Sequence, residues 1–308
     1  MHDVIIIGAG PAGLTAGLYS GRYRLKTLIL EKMAVGGQIL MSATIENYPG
    51  FPGGISTFEL MEKIEKQVKE TGTEIENAEV NEVEFNHSAP PRVFNVKAGD
   101  KNYQAKSLII STGAHWKRLG IPGEEKFIGG GVSFCATCDA PFFRNKEVLV
   151  VGGGDKAIEE AVFLASYAAK VVIVHRRSQL RAAEIIQEKA RANPKISFVL
   201  DSVVEELLGE NKVEKVKIKN TATGLSSFIP CQGVFVFIGV APSTEFLKNH
   251  LEMDESGFII TDNNARTSQD GVFACGDCRQ KGFYQVITAC GEGAQAAFSA
   301  HNYLLLGK

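Results

Sequence analysis

The feature that most constrains the fold is a unit that occurs twice along the chain. In each copy a short apolar strand leads into a glycine-rich turn, a helical stretch and a second apolar strand. The copies run from Val4 to Glu31 and from Glu147 to His175, and in both the first glycine lies 23 positions before the end of the second strand. One glycine-rich turn is weak evidence, but two in this order predict two dinucleotide-binding βαβ units.

The turns carry the residue types that such a unit needs. The first glycine makes the tight turn, the second lets backbone N–H groups approach a pyrophosphate, and a small third residue lets the helix pack closely on the strand. The N-terminus of the helix then directs partial positive charge towards the phosphates. These three positions are Gly8, Gly10 and Gly13 in the first copy and Gly152, Gly154 and Ala157 in the second.

The two copies differ at the residues that end the second strand. Glu31 in the first copy offers a carboxylate that accepts hydrogen bonds from the ribose hydroxyls of an unphosphorylated adenosine, as in FAD or NAD. The second copy has His175, Arg176 and Arg177, followed by Arg181, and this basic cluster suits a 2′-phosphate. The sequence therefore predicts FAD at the first site and NADPH at the second, with a solvated helix face as the alternative for the arginines.

Cys135 and Cys138 stand in a CxxC spacing shortly before the second glycine-rich turn. This spacing can place two sulfurs close enough to bridge, and it can also supply half of a zinc site. A flavin site and an NADPH site in one chain need an electron acceptor, so we interpret the pair as redox-active. Asp139 follows directly, and its carboxyl group can carry protons for the dithiol or simply cap a helix.

Charge and hydropathy argue against several classes of partner. The net charge of −2 is too small to indicate binding to nucleic acid or to a membrane surface. No apolar run approaches the ~18 residues that span a bilayer, and the first residues lack the features of a secretion signal. We therefore expect a cytoplasmic protein without a nucleic-acid partner, a membrane association or a bound metal.

Motifs along the whole chain resemble those of the low-molecular-weight thioredoxin reductases. The resemblance rests on both glycine-rich turns, on the CxxC pair with Asp139, and on the basic cluster. Further matching segments are GGQ at 36–38, ENYPG at 46–50, STGA at 111–114, GD at 276–277 and TACGEG at 288–293. Together these motifs are highly specific.

The resemblance implies an α/β fold with two Rossmann-like FAD/NAD(P)-binding domains, the NADPH domain being inserted into the FAD domain. Residues 1–116 and 246–308 would form the FAD domain, and residues 117–245 the NADPH domain that carries the CxxC pair. It also implies a homodimer that passes electrons from NADPH through FAD to a Cys135–Cys138 disulfide. The final acceptor would be oxidised thioredoxin or a thioredoxin-like protein, with Cys138 facing the flavin and Cys135 facing the partner.

The resemblance also assigns roles residue by residue. The catalytic residues would be Cys135, Cys138 and Asp139. The FAD-binding residues would be Gly8, Gly10, Pro11, Ala12, Gly13, Glu31, Gly36, Gly37, Gln38, Asn47, Thr112, Gly113, Gly276, Asp277, Gln285 and Val286. The NADPH-binding residues would be Gly152, Gly154, Asp155, Lys156, His175, Arg176, Arg177 and Arg181.

Two positions depart from the family pattern. Lys156 stands where a serine is usual, which changes one phosphate contact and adds a positive charge. Tyr284 precedes Gln285 where an arginine is common, so a polar contact is lost or remade there. The remaining cysteines are predicted to be small buried residues rather than a second redox centre; they are Cys231, Cys275, Cys278 and Cys290.

Two other functions remain compatible with parts of this pattern. A reductase on the same scaffold could use ferredoxin as the donor, which would not need the basic cluster, or could reduce a different acceptor protein. A non-catalytic nucleotide-binding sensor with zinc in the CxxC pair belongs to another class of protein. A yellow purified protein without zinc would exclude the sensor.

Overall fold

The chain passes between two units, each of which has its own sheet. One unit comprises residues 1–115 and 241–308 and the other comprises residues 116–240, in a computed structural model that describes residues 1–42, 44–85 and 93–307. The second crossing falls at residue 241, ahead of the boundary predicted at 246. The predicted α/β fold class is confirmed by the parallel strands and the helices of both units.

Before the first crossing the elements are β1 (His2–Ile7), α1 (Pro11–Arg22), β2 (Thr27–Glu31), β3 (Thr44–Ile45), β4 (Ile55–Ser56), α2 (Thr57–Glu70), β5 (Glu74–Asn77), β6 (Val80–Phe85), β7 (Phe94–Ala98) and β8 (Lys101–Ile110). The crossing itself runs through β9 (Ala114–Trp116).

The inserted unit contains β10 (Val132–Ser133), α3 (Ala136–Asp139), β11 (Glu147–Val151), α4 (Asp155–Leu164), β12 (Lys170–Val174), α5 (Glu184–Arg191), β13 (Ile196–Val199), β14 (Ser202–Leu208), β15 (Lys215–Asn220), β16 (Ser226–Pro230) and β17 (Gly233–Val236). The chain returns through β18 (Val240–Pro242) and continues with β19 (Val272–Ala274) and α6 (Val286–Leu305).

Within the described residues, the main sheet of the first unit has the strand order β5-β2-β1-β8-β7-β6, and β19 pairs with β8. Strands β5, β2, β1, β8 and β19 run parallel, whereas β6 and β7 add an antiparallel hairpin. Ile6 at the centre pairs with Ile29 and Ile109 and is fully buried. Burial on both faces explains why these strands read as continuous apolar runs.

Helices α1 and α6 pack closely in the first unit. Pro11 suits the first turn of α1 because the N–H that proline lacks would have no helical partner there. A Cβ on Gly293 of α6 would lie 2.2 Å from the carbonyl oxygen of Ala12, so only glycine allows this approach. Cys290 Sγ lies 3.8 Å from the carbonyl oxygen of Pro11, which places the first half of α6 against the start of α1.

In the inserted unit, the described residues form a parallel sheet with the order β10-β17-β11-β12-β13. Strands β14, β15 and β16 form a separate antiparallel sheet. The first strand of the second repeat, β11, lies between β12 and β17, as β1 lies between β2 and β8. No helix within the described residues is long and apolar enough to cross a membrane.

Candidate active site

The first glycine-rich turn combines two packed glycines with one open glycine. Gly8 has a φ of +105°, and a Cβ there would lie 2.5 Å from the carbonyl oxygen of Ser111. A Cβ on Gly13 would lie 1.9 Å from the carbonyl oxygen of Gly8. A Cβ on Gly10, in contrast, would meet only the carbonyl oxygen of Gly36, at 3.9 Å. The backbone at Gly10 is therefore open to a ligand.

Glu31 is held beside this turn by its own carboxylate. Oε2 accepts a hydrogen bond of 2.7 Å from the N–H of Ala9, and Oε1 accepts one of 3.0 Å from the N–H of Met33. The N–H of Gly36 donates to the carbonyl oxygen of Ala9 at 2.8 Å. The structure thus brings the predicted residues Glu31 and Gly36 together with the open backbone of Gly10.

Other predicted FAD-binding residues follow the carboxyl ends of neighbouring parallel strands. Thr112 and Gly113 come after β8, and Gly276 and Asp277 come after β19, which pairs with β8. Ligands of open α/β sheets bind at this edge. The first glycine-rich turn follows β1, which also pairs with β8 in parallel, so all three segments share the edge.

Two predicted residues that are distant in sequence meet directly. Asn47 Nδ2 donates a 3.0 Å hydrogen bond to Oε1 of Gln285. Gln285 precedes α6 as its N-cap and forms a capping box with Thr288, and Val286 is the first residue of the helix. The contact fixes the amide of Asn47 next to the start of α6.

The second glycine-rich turn repeats the pattern of the first. Gly152 has a φ of +152°, and a Cβ there would lie 2.5 Å from the carbonyl oxygen of Phe237. A Cβ on Gly154 would meet only Nη2 of Arg181, at 3.9 Å. The N–H groups of Arg181 and Ala182 both donate to the carbonyl oxygen of Gly153, which holds the basic segment against the open glycine.

The three arginines of the basic cluster are exposed and line a surface cavity of about 520 Å³ together with Asp201. No described carboxylate lies within ion-pair distance of Arg176, Arg177 or Arg181. Three guanidinium groups that lack a counter-ion among the described residues are suited to binding an anion. A solvated helix face is excluded as their setting, because they follow β12 in a loop before α5.

His175 differs from the arginines because it is buried. Burial lowers its pKa, and the cations of Arg181, Arg177 and Arg176 lower it further, against a hydrogen bond with the backbone of Gln179 that raises it. The imidazole therefore stays neutral at pH 7. Its Nε2 atom is buried and has no hydrogen-bond partner within the described part of the chain.

Asp155 and Lys156 are both engaged by protein groups at the start of α4. Asp155 Oδ1 accepts a 2.7 Å hydrogen bond from the N–H of Ala183. Lys156 forms an ion pair with Glu160, one turn further along the helix, and the side chain of Glu160 is largely buried. Part of the positive charge that Lys156 adds is therefore already neutralised.

Cys135 and Cys138 are joined by a disulfide, with their Cα atoms 5.4 Å apart. Cys135 is the N-cap of α3, and its Sγ accepts a hydrogen bond of 3.2 Å from the N–H of Cys138. Both residues are partly exposed. The bond confirms that the pair can bridge, and while it is formed neither sulfur is a thiolate ligand for zinc.

Asp139 lies at the end of α3, where burial raises its pKa. Ser133 Oγ donates a 2.6 Å hydrogen bond to Oδ2 of Asp139, which opposes that rise. The same hydroxyl accepts a 3.1 Å hydrogen bond from the N–H of Cys135. A carboxyl group with a raised pKa beside a disulfide is suited to proton transfer.

Ser133 is one of three residues to which the sequence assigned no individual role. The sequence signal that could have indicated Ser133 is its position two residues before Cys135. This signal is weak because serine is common in loops. The other two are Lys281 and Glu292, which surround Asp277. Lys281 forms ion pairs with both carboxylates, and Glu292 also accepts a hydrogen bond from the N–H of Gly276.

The four remaining cysteines are buried and free, as predicted. Burial raises the pKa of Cys231 to about 12 and that of Cys278 to about 11, and it raises the pKa of Cys275 as well. Cys278 Sγ donates to the carbonyl oxygens of Ile110 and Cys275. The thiols of Cys231, Cys275 and Cys278 are therefore protonated, unlike the thiolates that exchange disulfides.

Two nucleotide-binding βαβ units and a disulfide beside a partly buried carboxyl group define a nucleotide-dependent disulfide oxidoreductase. The family model described as pyridine nucleotide-disulphide oxidoreductase matches residues 2–293. The thioredoxin reductase of Peptoclostridium litorale is 46% identical, over 99% of this chain and 97% of its own length. That of Treponema pallidum (strain Nichols) is 45% identical, over 98% of this chain and 97% of its own length.

A solved structure gives the same result. The crystal structure of thioredoxin reductase from Streptococcus pyogenes MGAS5005 is 45% identical, has a TM-score of 0.93 and covers 99% of both chains. The chain belongs to the pyridine nucleotide-disulphide oxidoreductases and, within them, to the thioredoxin reductase family. Membership implies an oxidoreductase that uses FAD and a pyridine nucleotide.

Proposed function

We propose that this chain is an NADPH-dependent thioredoxin reductase. The observation that carries the proposal is a Cys135–Cys138 disulfide in the same unit as three arginines that form no ion pair with a described residue. In the overall reaction NADPH and one proton reduce the disulfide of thioredoxin to a dithiol and leave NADP⁺. FAD, when bound, supplies the two-electron transfer between the nicotinamide and the Cys135–Cys138 disulfide.

The first unit fits FAD at two points that the structure itself provides. The open backbone of Gly10 leaves room for a pyrophosphate next to the start of α1. Oδ1 of Asp277 is buried, forms an ion pair with Lys281 and makes no hydrogen bond to a described residue, so it can still accept one from a hydroxyl group of the cofactor. The other residues of the proposed site are Gly8, Pro11, Ala12, Gly13, Glu31, Gly36, Gly37, Gln38, Asn47, Thr112, Gly113, Gly276, Gln285 and Val286.

The inserted unit is the proposed NADPH site. Arg176, Arg177 and Arg181 would bind the 2′-phosphate that distinguishes NADPH from NADH, with the neutral imidazole of His175 beside them. The open backbone of Gly154 would face the pyrophosphate. Gly152, Asp155 and Lys156 complete the site, and we expect Lys156 to contribute less than the arginines because it pairs with Glu160.

Three residues carry the proposed exchange with the protein partner. Once the disulfide is reduced, the thiolate of Cys135 attacks the disulfide of oxidised thioredoxin and forms a mixed disulfide. The thiol of Cys138 then attacks Cys135, which restores the intramolecular disulfide and releases reduced thioredoxin. Asp139 accepts the proton of the attacking thiol and returns it to the leaving thiolate.

The assembly and the location also belong to this proposal. Homologous enzymes are named for thioredoxin, and we extend that partner, or a thioredoxin-like protein, to this chain. The homodimer and the cytoplasmic location stay predictions. Size-exclusion chromatography with light scattering would measure the assembly directly.

The test follows the flavin under anaerobic conditions. NADPH should bleach the visible flavin absorption much faster than NADH does, and oxidised thioredoxin should restore it. Cys135→Ser and Cys138→Ser should lose turnover with thioredoxin, whereas Cys231→Ser, at a buried free thiol, should keep it. Absence of bleaching by either nicotinamide would assign a ferredoxin-type donor instead, and bleaching without reoxidation would assign a different acceptor protein.

A further inference from the structure

Lys281 is buried beside Asp277, although lysine is seldom buried without a partner. Its side chain is only 8% exposed. The Nζ atom lies 2.8 Å from Oδ1 of Asp277 and 3.4 Å from Oε1 of Glu292. A single cation therefore holds two carboxylates that would otherwise repel each other.

The two carboxylates are also connected through the backbone. Oε2 of Glu292 accepts a 2.7 Å hydrogen bond from the N–H of Gly276, the residue before Asp277. Glu292 belongs to α6, whereas Gly276 and Asp277 belong to the turn after β19. The contacts from Gly276 to Glu292, Lys281 and Asp277 form a closed ring that fastens this turn to α6.

Two buried polar atoms of the ring lack hydrogen bonds. The contact between Lys281 Nζ and Asp277 Oδ1 is an ion pair without the geometry of a directed hydrogen bond. Nζ is also paired with Oε1 of Glu292, but neither Nζ nor Oδ1 makes a hydrogen bond within the described part of the chain. For a buried polar atom that makes no hydrogen bond, an ion pair replaces the lost hydration only in part. The arrangement therefore calls for a polar ligand at Asp277.

Tyr284 provides a further contact for the buried cation. The ammonium of Lys281 lies 5.3 Å from the centroid of the Tyr284 ring, within the range of a cation–π interaction. Arginine is common at this position in the family that the chain resembles, and it would add a second cation beside Lys281. The aromatic ring instead stabilises the one cation already present.

We propose that Lys281 is a positioning residue for FAD. It holds the carboxylate of Asp277 in the orientation that accepts a hydrogen bond from a hydroxyl group of the bound cofactor. This inference rests on the proposed FAD site and adds to it a residue that acts through Asp277. Lys281 does not itself contact the cofactor, and it stays paired with the carboxylates of Asp277 and Glu292.

The test measures FAD binding rather than turnover. Apoprotein carrying Lys281→Met, which keeps the length of the side chain without its charge, is titrated with FAD while the quenching of flavin fluorescence is followed. We expect the Kd to rise at least tenfold. The control is Lys63→Met, because Lys63 also pairs with a glutamate in the first unit but is exposed; its Kd should stay within twofold of wild type.

A second variant separates charge from packing and covers the case in which Lys281→Met folds poorly. In Lys281→Met combined with Glu292→Gln, the amide oxygen still accepts from the N–H of Gly276, but two carboxylates no longer face each other. We expect this double variant to bind FAD several-fold tighter than Lys281→Met does, with a higher apoprotein Tm.

Two results would overturn the inference while leaving the proposed function intact. The first is wild-type FAD affinity in Lys281→Met, and the second is a double variant that recovers neither affinity nor Tm. Failure of the wild-type apoprotein to bind FAD at all would instead refute the proposed function. The two failures are therefore distinguishable in the same titration.

Discussion

Gly10→Ala and Gly13→Ala add the same methyl group three residues apart. We expect the two substitutions to have opposite effects on the stability of the apoprotein. At Gly10 the new Cβ would meet nothing closer than the carbonyl oxygen of Gly36 at 3.9 Å. The backbone there has φ −74° and ψ −176°, which alanine adopts without strain. The free energy of unfolding should stay level or rise by about 0.4–1 kcal/mol, because alanine restricts the unfolded chain.

At Gly13 the added Cβ would lie 1.9 Å from the carbonyl oxygen of Gly8 and 2.6 Å from Oγ of Ser111. The first of these atoms is backbone, so relief requires that α1 move away from β1. Overpacking of this kind costs about 1–3 kcal/mol. We therefore expect Gly13→Ala to lower the free energy of unfolding of the apoprotein, whereas Gly10→Ala does not.

Gly10→Ala should weaken FAD binding, although the variant apoprotein has normal stability. The methyl group would occupy the space through which a pyrophosphate approaches the backbone. Loss of one hydrogen bond to a charged group costs about 1.5–3 kcal/mol, which corresponds to an affinity about 10- to 150-fold lower. Gly10→Ala thus separates the binding of the cofactor from the folding of the unit.

The assay is urea denaturation of both apoproteins, followed by titration of each with FAD. If Gly10→Ala folds normally and binds FAD as tightly as wild type, the open backbone does not face the cofactor. If Gly13→Ala leaves the urea midpoint unchanged, the close contact at Gly13 does not limit the packing of α1 on β1.

Four further variants test the inserted unit. Arg176→Ala and Arg177→Ala should each raise the KM for NADPH about tenfold or more, because each removes a charge-assisted hydrogen bond of about 1.5–3 kcal/mol; steady-state kinetics should show an unchanged KM for NADH. Asp139→Asn should slow thioredoxin reduction by about 10²–10⁴-fold while anaerobic flavin bleaching by NADPH persists. Burial raises the pKa of Asp139, so the wild type loses stability as the pH rises through that pKa. Asp139→Asn should therefore have a higher Tm than the wild type at neutral pH. The difference in Tm should be smaller in acid. Ser133→Ala removes a hydrogen bond that lowers the pKa of Asp139, so the limb of the pH–rate profile set by Asp139 should move to higher pH, and an unmoved profile would contradict that assignment.

The sequence predicted the parts of the site that lie within one repeat. Glu31 was expected beside the first glycine-rich turn, and its carboxylate does contact Ala9. The spacing of a βαβ unit fixes that proximity, because β2 returns parallel to β1. The basic cluster follows the same rule, since the N–H of Arg181 bonds to Gly153.

Contacts between distant segments could not be read from spacing. Asn47 and Gln285 are 238 residues apart, and only the resemblance placed both near the flavin. Lys281 lies in a polar stretch that reads as solvated. It is buried because α6 packs on α1 through Gly293 and so brings Glu292 to the turn after β19.

The two glycine-rich turns have the same arrangement of packed and open glycines. The side chains proposed to bind each nucleotide are held differently. Glu31 is fixed by two backbone hydrogen bonds, and Lys281 fixes Asp277 from a buried position. Such groups lose little conformational entropy when a ligand binds, which favours high affinity. Arg176, Arg177 and Arg181 are exposed, so each gives up side-chain freedom on every binding event. From this difference we expect the first unit to retain its cofactor tightly and the second to exchange its nucleotide in every turnover.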